Sequence, residues 1–391
     1  MKHISKSVWI LSIVSLFADM ASEMLYPVLP IYLKNIGFSV VLIGILEGVA
    51  EAVAGLSKGY FGKLSDSRGR RVPFVQAGYA LSTLSKPLMA VFVWPLWVFF
   101  ARTLDRFGKG IRIAARDALL SDEATAKTKG KVFGFHRSMD TLGAVLGPLL
   151  ALVYLRWYPT DYRTLFFIAF VPGLLAIAAS MLLRDKKGKQ KQASVGVSLF
   201  SFVKYWKISH SSYKRLVIGL LVFALVNSSD AFLLLKAKES GLNDASVISL
   251  YIFYNLIFAL CSFPLGILAD RAGLKAIFVV GLILFSLSYS GIAFASDQIL
   301  FYVFFFSYGL FSAATDGISK AWITNIVTRE ETATAIGTFT AFQSISTMIA
   351  STLTGVIWFR FGSATALVIA SAISLFVAIY FVAFVPVRSV A

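Results

Sequence analysis

The sequence predicts an all-α integral membrane protein with twelve transmembrane helices in two pseudo-symmetric six-helix bundles. Three observations predict it. The 391 residues are 58% hydrophobic and 15% charged, with a mean hydropathy of +0.77, outside the range of soluble globular domains. Apolar windows of about 20 residues, enough to cross a hydrocarbon core about 30 Å thick, recur almost end to end. A glycine- and aspartate-containing loop pattern also occurs twice, after the second and the eighth window.

Taken in order, the first six spans are expected at about 8 to 33, 40 to 61, 73 to 92, 95 to 116, 133 to 155 and 163 to 183. The second six are expected at about 215 to 236, 246 to 268, 276 to 295, 299 to 321, 334 to 357 and 363 to 386. The first window begins like a signal peptide. It carries Asp19 and Glu23 and lacks a small-residue cleavage site, so it reads as a retained span.

Residues 185–212 hold Lys186, Lys187, Lys189, Lys191, Lys204 and Lys207 and read as a basic cytoplasmic linker. It divides the chain into an N-terminal bundle, 1–184, and a C-terminal bundle, 213–391. With the linker inside, the basic connectors 63–71 and 127–131 fall on the same side. The expectation is a multi-pass protein of the cytoplasmic (inner) membrane with both termini in the cytoplasm. The formal charge of +17 resides mostly in such connectors, so it sets topology and no nucleic-acid partner is expected.

Several classes are excluded. One cysteine, Cys261, and three scattered histidines, His3, His136 and His210, give no disulfide framework and no metal site. No Walker loop, dinucleotide fingerprint or H-E-x-x-H occurs, so no enzyme activity, no catalytic residue and no cofactor is expected. Transport energy must then come from gradients.

The repeated pattern is G-x-L-[SA]-D-x-x-G-x-[RK]. It begins at Gly62, with Asp66, Gly69, Arg70 and Arg71, and again at Gly266, with Asp270, Gly273 and Lys275. Gly62 and Gly69 permit tight packing and unusual backbone angles. Asp66 can face a helix N-terminus. Arg70 or Arg71 can pair with Asp117 at the end of the fourth span, giving a cytoplasmic gate of Gly62, Asp66, Gly69, Arg70, Arg71, Asp117 and Asp270. In the fifth span Gly134, Gly143, Gly147 and Pro148 form a helix-packing motif of small residues with a bend.

On these residues the chain resembles the major facilitator superfamily over essentially its whole length. The loop pattern is similar to that family's signature between helices two and three and its weaker copy between helices eight and nine. The glycines of span five resemble its antiporter motif, with Ala151-Leu152 in place of the terminal glycine pair. Arg106-Phe107-Gly108-Lys109-Gly110 resembles its R-x-x-Q-G motif with Lys109 in place of glutamine. The resemblance implies two six-helix bundles, a drug/proton-antiporter-like activity and a proton-coupling role for Arg106.

Ionisable residues inside spans are costly and mark pathways or partners. Asp19 and Glu23, and Glu47 and Glu51, are four apart, so each pair shares a helix face. They are the candidate proton-coupling carboxylates, with Arg106. Lys109, Arg112, Asn227, Asp230 and Tyr26 are the candidate solute ligands. Asp316 and Lys320, at i and i+4, are expected to pair with each other.

The expected function is alternating-access secondary transport of a small organic solute, as proton-coupled export, by a monomer whose partners are solute, protons and membrane lipids. Two alternatives stay open. One is uptake or exchange of an organic anion through the basic stripe of span four, and the other is a non-transporting membrane receptor or scaffold.

Overall fold

The computed structural model describes residues 4–26, 28–38, 40–185 and 201–385. Lys186, Lys187, Lys189 and Lys191 of the expected linker lie outside the described residues. The described chain is helical throughout. Its first half runs α1 (Lys6–Glu23), α2 (Leu29–Asn35), α3 (Val40–Arg68), α4 (Val72–Val91), α5 (Pro95–Asp122), α6 (Lys129–Trp157) and α7 (Tyr162–Ser180). A short α8 (Ser201–Ile208) precedes α9 (Ser211–Ala224), α10 (Ala231–Glu239), α11 (Asp244–Ala272), α12 (Leu274–Phe294), α13 (Gln298–Asn325), α14 (Thr332–Phe361) and α15 (Ser363–Phe384).

These helices account for twelve spans, ten continuous and two broken. Only helices satisfy every backbone group inside lipid, which is why the spans take this form. The breaks are a correction to the continuous spans expected at about 8 to 33 and about 215 to 236. The first span is α1 followed by α2, and the seventh is α9 followed by α10. Pro27 and Pro30 lack the N–H that would continue α1. In the seventh span, Ser228, Ser229 and Asp230 offer side-chain oxygens that compete for backbone hydrogen bonds. Six helices, α6, α7, α11, α12, α13 and α15, are long and apolar enough by composition alone to cross a membrane. Among the others, α1 and α5 carry too many charges, and α2, α9 and α10, the remaining pieces of the broken spans, are too short.

Helix ends follow the local chemistry. Ser5, Asp161, Asn243 and Asp297 each accept a hydrogen bond from a backbone N–H in the first turn of α1, α7, α11 and α13. Gly69 and Gly273, the second glycines of the two loop motifs, have φ of 61° and 98°, the left-handed region that a side chain penalises.

The chain forms two compact units. The first comprises residues 1–123, 139–207 and 329–341; the second comprises 124–138, 208–328 and 342–391. In the first unit α4 packs on α5 and α7, α3 on α5, and α1 on α7. Its core includes Met24, Leu29, Tyr32, Leu33, Met89 and Phe166. In the second unit α13 packs on α11 and α12, and α12 on α15. Its centre is aromatic, with the rings of Phe285 and Tyr289 stacked at 3.9 Å.

Candidate functional site

Within the first unit, α5 carries Arg102, Asp105, Arg106, Lys109 and Arg112, at intervals of three from Arg102 to Asp105 and from Arg106 through Lys109 to Arg112, so the charges gather toward one side of the helix. They face a small pocket of ≈ 30 Å³, about one water in size, lined also by Asp19, Glu23 and Tyr26 from the first span and by Lys86 from α4. Lys109 lies within electrostatic reach of Asp19, Glu23, Arg106 and Arg112. The structure thus brings together Asp19, Glu23, Tyr26, Arg106, Lys109 and Arg112, six residues singled out from sequence.

One charged residue of this pocket, Lys86, escaped the sequence reading. Lys86 is 2% exposed, and its ammonium donates to Asp105 Oδ1 at 2.7 Å and to Ser22 Oγ at 3.1 Å. Arg102 approaches the other Asp105 oxygen at 3.3 Å. A lone lysine in the middle of an apolar window was the available signal for Lys86. Arg112, 3% exposed, donates to Ser82 Oγ at 2.6 Å and lies with its guanidinium carbon 4.5 Å from the centre of the Tyr79 ring. Its Nε is buried without a hydrogen-bond partner.

The pocket lining holds five bases, Lys86, Arg102, Arg106, Lys109 and Arg112, against three acids, Asp19, Glu23 and Asp105, so the fully ionised lining carries +2. Glu51 lies outside this lining. It is 45% exposed at its side chain and pairs with Lys58 at 3.6 Å. The side chain of Glu47 lies outside the described residues. Deeper in the first unit, Arg116 joins Asp117 at 3.0 Å and Ser15 at 3.1 Å, and Ser15 donates to Asp140 at 2.5 Å.

The loop motif makes a second polar cluster in the first unit. Asp66 Oδ2 accepts from the backbone N–H and the hydroxyl of Thr334, both at 2.7 Å. Arg71 pairs with Asp66 at 3.2 Å and with Asp122, and donates to the Arg329 carbonyl at 2.9 Å. The expected α5 partner of Arg71 is therefore corrected from Asp117 to Asp122. The helix continues beyond the end drawn from sequence, and Asp117 is engaged by Arg116. Arg70 is exposed. Burial pushes the Asp66 carboxyl up to about 6, with Arg71 and the Thr334 bonds pulling it back. Gly62 sits where a Cβ would come 2.5 Å from the Ala333 carbonyl oxygen.

In the second unit the copy of the motif repeats this geometry. Asp270 accepts from the backbone N–H groups of Gly130 and Lys131 at 2.7 Å each, in the first turn of α6. A Cβ on Gly266 would collide with the Gly130 carbonyl, and one on Gly134 with that of Ser262. Gly143 and Gly147, in the first unit, pack in the same way against Leu16 and Met20 of α1. Pro148 lies in that part of α6.

Asp316 does not depend on Lys320: Arg137 meets it at 2.5 Å, with the guanidinium 4.9 Å from the Phe258 ring centre. Asp230 stands at the break before α10. It accepts from the Tyr308 hydroxyl at 2.6 Å and from the Tyr254 hydroxyl. Asn227 lies in the same break.

Twelve spans in two units, with a charged pocket inside one of them, define a multi-pass membrane transporter. The sequence profile of the Major Facilitator Superfamily matches residues 11–252 and 216–391, and the chain belongs to that family. It is 30% identical to an uncharacterized MFS-type transporter of Methanocaldococcus jannaschii, over 94% of each chain. It is 25% identical to a multi-drug resistance efflux pump PmrA homolog of Lactococcus lactis, over 80% of this chain and 78% of the other. Among solved structures it is similar in fold to the transporter FucP in the outward conformation, with a TM-score of 0.79 at 13% identity, over 96% of this chain and 97% of that one. The human organic anion transporter MFSD10 matches with a TM-score of 0.76 at 16% identity, over 96% and 98%.

Proposed function

We propose that the chain is a proton-coupled secondary transporter that exports a small organic solute from the cytoplasm by alternating access. The observation that carries this reading is the first-unit pocket, where Asp19 and Glu23 share a lining with Arg106, Lys109 and Arg112. A carboxylate facing a base in a confined site takes up a proton when an anionic solute takes over the base, so solute binding and proton binding are linked through one charge set. The similarity to a multidrug efflux pump supports export. In this reading bundles 1–184 and 213–391 move about the linker 185–212, the termini and the Asp66 cluster lie on the cytoplasmic side, and the protein works as a monomer in the inner membrane.

The excess of bases in the lining favours a solute with an anionic group. It also supports a second reading, uptake or exchange of an organic anion without protons.

The experiment is a thermal-stability screen of anionic and cationic organic compounds with purified protein, followed by internal pH in proteoliposomes when the best stabiliser is added. Solute-driven proton movement that Glu23→Gln abolishes is the expected result. Solute flux with no proton movement, insensitive to Glu23→Gln and Asp19→Asn but lost in Arg106→Gln, would establish the anion exchanger instead. A membrane receptor or scaffold would show binding without flux.

A further inference from the structure

The acids inside the first unit have basic partners: Asp105 has Lys86 and Arg102, and Asp117 and Asp140 have Arg116. In the second unit Asp316 has Arg137. Asp230 is different. Its two oxygens are held by phenols, Tyr308 on α13 and Tyr254 on α11, and no base stands within ion-pair distance of it among the described residues. Both tyrosines are buried, at 3% and 5% exposure, while Asp230 itself is partly exposed at the break between α9 and α10.

An ionised carboxylate at membrane depth without a counter-charge is costly, and two neutral donors offset only part of that cost. The surrounding titratable groups are themselves phenols. Tyr251 packs on Tyr254 with ring centres 5.5 Å apart, and Tyr289 approaches Tyr308 at 6.2 Å. On α10, Lys236 is bound to Ser363 at 3.2 Å. On α13, Asp316 is paired with Arg137 at 2.5 Å, and among the described residues no ion pair joins Asp230 to a base of α11, α12 or α13.

We propose that Asp230 is a proton-binding site of the second unit, loaded from water through the α9–α10 break, with Tyr254 and Tyr308 as the donors that hold its ionised form. This extends the proton-coupled reading above to a second carboxylate. The step balances simply: the carboxylate gains one proton and becomes neutral, and no other covalent bond changes. Ionised, Asp230 accepts from both phenols and ties the start of α10 to α11 and α13. Protonated, it gains an O–H donor and loses its charge, so it accepts from the two phenols more weakly. The load state of one side chain thus sets how firmly the broken span is held.

The test uses protons and sodium as the only probes. Infrared difference spectra of the full-length protein in lipid are recorded on stepwise acidification. The wild type gains a carboxylic-acid band, with perturbed tyrosine bands, that Asp230→Asn lacks. Tyr254→Phe and Tyr308→Phe keep the carboxylate and gain the band at a pH about one unit higher, because the ionised form has lost a donor. These two variants carry the test if Asp230→Asn does not fold. The same band in Asp230→Asn, phenylalanine variants with an unmoved midpoint, or a midpoint that follows sodium at constant ionic strength would each overturn the proposal. No solute enters the measurement, so its failure is separate from failure of the pocket reading.

Discussion

Asp66 caps a helix it does not belong to: its Oδ2 accepts from the backbone N–H and the hydroxyl of Thr334, in the first turn of α14, at 2.7 Å each. Helix N-termini leave N–H groups without intrahelical partners, and a carboxylate there also meets the positive end of the helix dipole. Asp270 does the same for α6 through Gly130 and Lys131. Each aspartate stands four residues after a glycine whose bare Cα lets the capped helix, or the residue just before it, approach. The spacing of the repeated motif is therefore the spacing of one helical turn, from contact to cap.

Replacing either contact glycine tests this. A Cβ on Gly62 meets the Ala333 carbonyl at 2.5 Å, and one on Gly266 meets the Gly130 carbonyl. Gly62→Ala and Gly266→Ala should each destabilise by about 1–3 kcal/mol. Thermal melts in a fixed detergent, read by loss of the monodisperse peak, check it. An unchanged melt in both would show that the helices separate without cost.

Asp66 also gives a pH dependence. Its folded value of about 6 exceeds the unfolded 3.8, so the group contributes stability that is fully present below about 3.8 and is lost as pH rises through about 6. The melting temperature of the wild type relative to Asp66→Asn should fall over that window, by an equivalent of up to about 3 kcal/mol. Parallel melting curves between pH 4 and pH 7, both values being about the limits of the window, would contradict it.

Lys86→Met leaves Asp105 buried against Arg102 alone and should cost about 3–5 kcal/mol. The double variant Lys86→Met/Asp105→Leu should regain much of that, because an apolar pair of similar size replaces the buried ion pair. Equal melts for the single and double variants would show that the pair is not coupled.

Arg112→Lys and Arg112→Gln separate charge from shape at the pocket. The guanidinium bridges Ser82 and the Tyr79 face while lining the pocket, a geometry that an ammonium cannot copy. Both variants should weaken binding of the best anionic stabiliser about tenfold or more, measured by titration. Loss in Arg112→Gln alone would assign the role to charge only.

Much of this was legible in the sequence, and what was not has physical reasons. The twelve spans follow from apolar windows, and the doubled loop from its residues. The breaks at 24–28 and 225–230 did not appear, because a window averages over the few residues where the hydrogen-bond ladder stops. Pro27, Pro30 and the Ser228-Ser229-Asp230 run were the local signs. Lys86 is one charge in an otherwise apolar window of α4, too little to change the window's average, and Asp122 lies on α5 beyond the end expected for the fourth span at about 116.

The charge density of α5 has a consequence for biosynthesis. Arg102, Asp105, Arg106, Lys109, Arg112, Arg116 and Asp117 lie on one helix, and a charge near the centre of an inserting segment costs about 2.5–3.5 kcal/mol. Alone, α5 is a poor guest for the bilayer. Its partners Asp19 and Glu23 on α1 and Lys86 with Ser82 on α4 precede it in the chain, and Asp140 on α6, which pairs with Arg116, follows it. Synthesis therefore delivers most of the groups that meet these charges before α5 itself, and α5 has partners on the earlier spans to pack against as it enters the membrane.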